Sequence, residues 1–239
     1  MQHVHAIFSD RHSAGRMLAR VLARLTLADP VIVALPRGGV PVAFEVAKAL
    51  AAPLDLLMVR KIGAPGHEEY GIGAVVDGGV QQIVIDHDAV GLTGADDLYL
   101  ERMIDRQLAE IRRRRILYGL AHPLALEGRE VVLVDDGIAT GNTVRAALKA
   151  LRQAGVARIV LAVPVAPAEA LPELQTECDD LVCLATPEPF FSVGTHFEDF
   201  AQTGDDEVVH LLRQSRRLPS PAESGPAESG PAQSGPAEN

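Results

Sequence analysis

Short apolar runs and helical stripes alternate along most of the chain. Ala14, Leu18, Val21, Leu22 and Leu25 recur at the three- and four-residue spacing that lines one helix face. VIVAL (31–35) follows as a continuous apolar run of strand length, as expected for a strand covered on both faces. PRGG interrupts it, and Val42, Ala43, Val46, Ala47 and Leu50 form the next helical stripe. LDLLMV (54–59) predicts a second buried strand. GAVV and VQQIVI flank Asp77-Gly78-Gly79, the signature of a hairpin. Leu100, Ile104, Leu108 and Ile111 mark a long helix. VVLVD (131–135) predicts a strand, and Val144, Ala147, Leu148 and Leu151 predict the helix behind it. IVLAV (159–163) and LVCLA (181–185) complete the apolar strands.

This alternation predicts an α/β fold: a five-stranded parallel sheet with right-handed crossovers, flanked by helices. Ligands of such sheets bind at the carboxyl ends of the strands. That rule singles out the loops after residues 35, 59 and 135.

Composition removes one segment from the fold. From Pro219 the chain repeats PAESG to its end, with no large apolar residue to offset its ordering entropy. A disordered tail over 219–239 is expected, leaving one domain over 1–218. The 239 residues carry 22 Lys and Arg against 32 Asp and Glu, a net charge of -10. Such a balance counts against broad nucleic-acid or anionic-membrane binding. No apolar run approaches the roughly 20 residues of a membrane span, and the first residues lack a signal-peptide core. Cys178 and Cys183 fit neither a zinc spacing nor a CxxC motif and read as reduced, partly buried thiols. A cytoplasmic setting is expected.

The chemistry concentrates in VVLVDDGIATGNT (131–143). Gly137 and Gly141 permit tight or positive-φ geometry, and Thr140 and Thr143 supply hydroxyls. A helix starting near Gly141 leaves its first N–H groups unpaired, and its dipole favours an anion. The loop therefore suits a monophosphate. It lacks the lysine of a Walker A loop, which argues against a P-loop kinase. Asp135 and Asp136 must then serve a different part of the ligand. Carboxylates accept hydrogen bonds, and a ribose diol next to its 5′-phosphate offers two donors. A capping aspartate before a glycine turn would account for one of the pair, not both.

The same stretch closely resembles the phosphoribosyl-diphosphate (PRPP) motif of the type I phosphoribosyltransferases: an apolar strand, two acidic residues, then a TG turn. ALPRGGVPVAFEVA resembles that family's pyrophosphate loop, and the likeness extends from IFSDRHSAGRMLA to EDFAQTGDDEVV. The subgroup it resembles is an uncharacterised bacterial one. The resemblance implies the type I phosphoribosyltransferase fold, with a hairpin or flexible loop and a small C-terminal hood near 186–205. It assigns the ribose hydroxyls to Asp135 and Asp136. It assigns the 5′-phosphate to Ala139, Thr140, Gly141, Asn142 and Thr143, and the pyrophosphate to Arg37, Gly38, Gly39, Arg60 and Lys61. A non-proline cis peptide is expected at Arg37-Gly38. Catalysis would rest on Asp135, Asp136, Arg37 and Lys61, with Mg²⁺ held directly or indirectly by the two aspartates. The implied reaction transfers the phosphoribosyl group of PRPP to a base-like acceptor and releases pyrophosphate. The alternative is a regulator that senses PRPP without turnover. The resemblance allows a homodimer.

Other residues carry weaker signals. Phe190, Phe191, Phe197 and Phe200 crowd the expected hood, where they either stack on an acceptor ring or pack on one another. Glu68 and Glu69 are candidates for proton handling, though surface positions explain them as well. His196 beside Glu198 and Asp199, and His87 between Asp86 and Asp88, read as surface residues rather than metal ligands. Arg112 to Arg115 read as a solvated helix face. Ala139 stands where the family's 6-oxopurine enzymes carry an aspartate directed at the base. An acceptor screen is therefore expected to find hypoxanthine and guanine poor substrates, and efficient turnover of either would contradict this reading of Ala139.

Overall fold

A computed structural model describes residues 6–77, 81–120 and 124–217. The expected hairpin turn at Gly78 and Gly79 and the PAESG tail lie outside the described residues. Five parallel strands form the main sheet: β1 (Val31–Ala34), β2 (Leu54–Leu56), β6 (Glu130–Val134), β7 (Arg158–Val165) and β8 (Asp180–Ala185). Their order is β2-β1-β6-β7-β8. A second, antiparallel sheet contains β3 (Met58–Ala64), β4 (His67–Asp77) and β5 (Gln81–Ile85) in that order.

Pleat explains how the apolar runs divide. Ile32 pairs with Val132 and Ala34 with Val134, while Val31 pairs with Val131 and Val33 with Leu133. Ile32 and Ala34 of β1 and Val132 and Val134 of β6 join one core, which includes Leu18 and Leu22 of α1 (Arg11–Leu22), Val42 and Val46 of α2 (Gly39–Leu50) and Leu211 of α7 (Asp205–Ser215). The odd-numbered residues join the other, with Val144, Leu148 and Leu151 of α5 (Asn142–Gln153) and Leu174 of α6 (Leu171–Glu177). Two covered faces leave no polar alternation in the sequence, which is why these strands read as solid apolar runs.

The expected strand over 54–59 divides in two. The Leu57 amide donates to Ala34 O at 3.0 Å, ending the pairing in the main sheet. Met58 then pairs antiparallel with Asp77 and the chain continues as β3. There is consequently no loop after residue 59, and Arg60 and Lys61 lie within a strand of the second sheet. α3 (His87–Thr93) and α4 (Asp97–Leu117) follow that sheet. Asp86 caps α3 by accepting from the Ala89 amide at 3.0 Å, an ordinary structural role. Arg113 and Arg114 of α4 bind Glu110 and hold its carboxyl down at about 2. Arg115 departs from the expected solvated face. It is buried and donates through Nε to Leu120 O at 3.2 Å. Among the described residues no helix is long and apolar enough to cross a membrane.

α1 lies directly on α2. A Cβ on Gly15 would stand 2.6 Å from Val42 O and 3.0 Å from Val42 Cα, so only glycine lets the helices meet this closely. The substitution Gly15→Val is expected to cost about 1–3 kcal/mol, read as a lower urea midpoint; unchanged stability would show that α1 does not depend on this approach.

Candidate functional site

β1 and β6 are neighbours at the centre of the sheet, and the order runs outward from them in opposite directions. This is the topological switch point, where the loops after two adjacent strands diverge and leave a crevice. The loop after β1 carries Arg37, Gly38 and Gly39, and the loop after β6 carries Asp135 to Gly141. The two loops touch. A Cβ on Gly39 would lie 2.8 Å from Val134 O and 3.0 Å from Asp135 Cα, and one on Gly38 would overlap Asp136 Oδ2. Gly39 is thus required by the backbone after β6, and Gly38 leaves the Asp136 carboxyl in its present place. The non-proline cis peptide lies at Pro36-Arg37, one bond earlier than the expected Arg37-Gly38.

Asp135 and Asp136 are half-buried, and the Asp136 amide donates to Asp135 Oδ1 at 2.9 Å. Burial, then the neighbouring Asp136 charge, pushes the Asp135 carboxyl well above its usual range. Burial also raises Asp136, and the Arg11 guanidinium pulls it back. Two crowded carboxylates with so little water call for positive charge or hydrogen-bond donors. Among the described residues no cluster of three or more His, Cys, Asp or Glu side chains could hold a metal alone. The aspartate pair still suits a hard cation such as Mg²⁺, which takes one or two carboxylates and completes its shell with ligand oxygens and water.

Behind the pair, Ile138 and Gly141 are buried while Ala139, Thr140, Asn142 and Thr143 are exposed. Gly141 caps α5 at φ 78° and ψ -9°, with no side chain bonded to the helix end and no acidic residue in the first turn. The first amides of α5 therefore open onto the loop, next to three hydroxyl or amide side chains.

The remaining predicted residues are engaged with other partners. Arg37 stands 3.7 Å from Asp205 at the start of α7. Asp205 also accepts from the buried Tyr118 hydroxyl at 2.6 Å; burial and this bond push that phenol up to about 12. Arg60 donates to Gln107 at 3.1 Å, and burial beside Arg114 lowers its pKa. Lys61 donates to Glu69 O at 2.8 Å and pairs with its carboxylate at 3.1 Å. Two clefts of about 630 and 900 Å³ lie along β3, β4, α3 and α4; neither is lined by Asp135 or Asp136. The first, which includes Arg60 and Lys61, is not the crevice at the switch point.

The segment after β8 folds back over the start of α1. The amides of Ile7 and Phe8 donate to His196 O, and the amides of Glu198 and Asp199 donate to Phe8 O and Ser9 O. Phe197 packs on Phe8 with ring centroids 5.2 Å apart and on Phe200 at 5.0 Å. Phe190 joins this cluster, whereas Phe191 is 70% exposed. His196 is fully buried against Phe190, with neither ring nitrogen hydrogen-bonded, so it is not the surface residue expected from its neighbours. Burial lowers its pKa.

Arg11, which carries no motif in the sequence, enters the site through this packing. Its Nε donates to Asp136 Oδ2 at 2.8 Å, and Nη1 donates to Ala201 O at 2.8 Å. The guanidinium lies 3.8 Å from the centre of the Phe200 ring. A signal was available. Arg11 is the first residue of α1, where the helix dipole disfavours a cation, so a partner outside the helix was implied.

Residues 10–199 match the phosphoribosyl transferase domain. A Mycobacterium tuberculosis protein, Rv0571c, provisionally named a phosphoribosyl transferase, is 45% identical over 212 residues, covering 88% of this chain and 47% of that protein. The chain belongs to the phosphoribosyl transferase domain family. It spans about half the length of the curated relatives it matches. The crystal structure of TT1426 from Thermus thermophilus is 45% identical, covers 87% of this chain and 98% of its own, and superposes with a TM-score of 0.75. A ribose-phosphate pyrophosphokinase of Parasynechococcus marenigrum is 29% identical over 163 residues, 64% of this chain and 45% of that enzyme.

Because a Cβ on Gly39 meets backbone atoms that cannot swing aside, Gly39→Ala is expected to force the two loops apart. The expected cost is about 1–3 kcal/mol of stability, measured by urea unfolding, and an unchanged midpoint would contradict the tight contact described above.

Proposed function

We propose that the protein binds PRPP with Mg²⁺ and transfers the phosphoribosyl group to a nitrogenous-base acceptor, releasing pyrophosphate. One observation carries the reading. A pair of half-buried carboxylates stands at the switch point, directly before the open amino end of α5 and against a glycine pair from the neighbouring loop. Carboxylates followed by an anion site match a sugar diol followed by its phosphate. Membership of the phosphoribosyl transferase family supports the same ligand. So does the 45% identity to a protein provisionally named for that activity.

In this reading Asp135 and Asp136 accept from the ribose 2′- and 3′-hydroxyls. The amides and side chains of Ala139, Thr140, Gly141, Asn142 and Thr143 hold the 5′-phosphate. The backbone at Arg37, Gly38 and Gly39 faces the pyrophosphate. Arg37 supplies a cation once it leaves Asp205; Arg60 and Lys61, which line the separate cleft along β3, would have to leave Gln107 and Glu69 and reach across to the crevice to join it. Mg²⁺, held by the aspartates and ligand oxygens, would neutralise charge on the departing pyrophosphate. Ala139 can neither give nor take a proton, so any proton handling falls to another group. Phe191, exposed at the hood, is the aromatic left free to stack on an acceptor. Its three neighbours pack against each other or against Phe8, Arg11 and His196. The setting we propose is cytoplasmic, with no nucleic-acid partner and with room for a homodimer.

The second reading is a PRPP sensor, which binds the same ligand at the same site without turnover. Wild-type protein mixed with PRPP, Mg²⁺ and a panel of bases separates the two. Pyrophosphate release supports the transferase, binding without release supports the sensor, and no PRPP binding overturns both. The double substitution Asp135→Asn with Asp136→Asn is expected to weaken PRPP binding by at least about ten-fold while the circular dichroism spectrum stays native. Undiminished calorimetric affinity would remove the pair from the sugar site.

A further inference from the structure

Asp136 Oδ2 is enclosed on two sides. Gly38 stands so close on one side that a Cβ there would overlap it, and Arg11 Nε donates to it from another at 2.8 Å. Arg11 is itself well fixed. Its side chain is 11% exposed, Nη1 is bonded to Ala201 O, and the guanidinium lies over Phe200. The start of α1 is held by the Asp10 capping box and by the amide bonds between residues 7–9 and 196–199. Two of the approaches to Oδ2 are thus taken, one by Gly38 and one by Arg11.

We propose that Arg11 is a latch on the sugar site: it holds Asp136 in the unliganded protein, and the ribose hydroxyls with their metal must displace it. The inference rests on the PRPP reading and adds to it a positioning residue from the opposite end of the chain. Arg11 keeps the carboxylate oriented and compensated. It also competes with the ligand, so measured affinity reflects only the unlatched fraction. Displacement would free the segment that Arg11 ties to the site. That segment runs from Phe200 and Ala201 to Asp205, which in turn engages Arg37. Binding at the sugar end would then loosen the partner of a residue assigned to the pyrophosphate end.

The test uses the full chain with calorimetry and ¹⁵N NMR of arginine Nε–H groups. The Arg11 signal is assigned as the one missing from Arg11→Lys. Mg²⁺ with ribose 5-phosphate is expected to shift it strongly, whereas inorganic phosphate, which lacks the diol, leaves it in place. Arg11→Ala is expected to bind PRPP with Mg²⁺ roughly five-fold more tightly than wild type. Arg11→Lys, which keeps the charge without the fork, is expected to lie between them. The helix cap is formed by Asp10 and Ser13, so Arg11→Ala keeps it, and a native melting curve checks the fold. Weaker binding in Arg11→Ala would make Arg11 a direct ligand contact and overturn the latch, as would equal binding or an Nε signal that ribose 5-phosphate does not move. Failure of wild-type protein to bind PRPP would instead overturn the underlying reading.

Discussion

Contact between two loops at the centre of the sheet sets the geometry of everything around it. Gly39 lies against the backbone of Val134 and Asp135 with no room for a Cβ, and Gly38 lies against the Asp136 carboxyl. The constraint is topological before it is chemical. Only at the switch point do loops from neighbouring strands leave in opposite directions. The carboxylates are half-buried because the loop after β1 covers them, and burial makes them acceptors in need of a partner. The same register sets the anion site, since β6 ends at Val134 and α5 opens at Asn142, with only the aspartates and a short turn between.

The second layer of the site comes from the two ends of the described chain. Residues 196–199 pair with residues 7–9, and the Phe8, Phe197 and Phe200 rings close over that pairing. This positions α1, and α1 delivers Arg11 to Asp136. The phenylalanines of the hood thus act first as a clasp for α1. That outcome suits their chemistry, because an aromatic ring gains from being enclosed by other apolar surface. The Arg11–Asp136 pair keeps 11% and 16% of its side-chain surface exposed, so each charge offsets the other where water still reaches both.

Much of the fold was legible in the sequence because its central strands are covered on both faces. Such strands produce solid runs like VIVAL and VVLVD, and the glycine and acidic residues after them mark where a ligand fits. What was not legible follows from physics that leaves no local trace. The run LDLLMV looks like one strand, but apolar character does not record which sheet a residue joins, and the chain changes sheets at Leu57. Arg60 and Lys61 therefore sit inside an antiparallel strand rather than at the end of a parallel one. The cis bond lies one residue from its expected position, since PRGG specifies an unusual loop and not which peptide turns. Arg11 has its partner 125 residues away. His196 reads as polar beside two acidic neighbours, yet the chain direction after η2 (Val193–His196) turns it into the aromatic cluster.

At the centre of the site, the aspartate pair and the start of α5 are proposed to hold the two ends of one sugar phosphate. A crystal structure of the protein with PRPP and Mg²⁺ tests this most directly. The account predicts the ribose hydroxyls on Asp135 and Asp136 and the 5′-phosphate on the amides of residues 139–143. Density for PRPP in the cleft between β3 and α4, with the switch point unchanged, would contradict it.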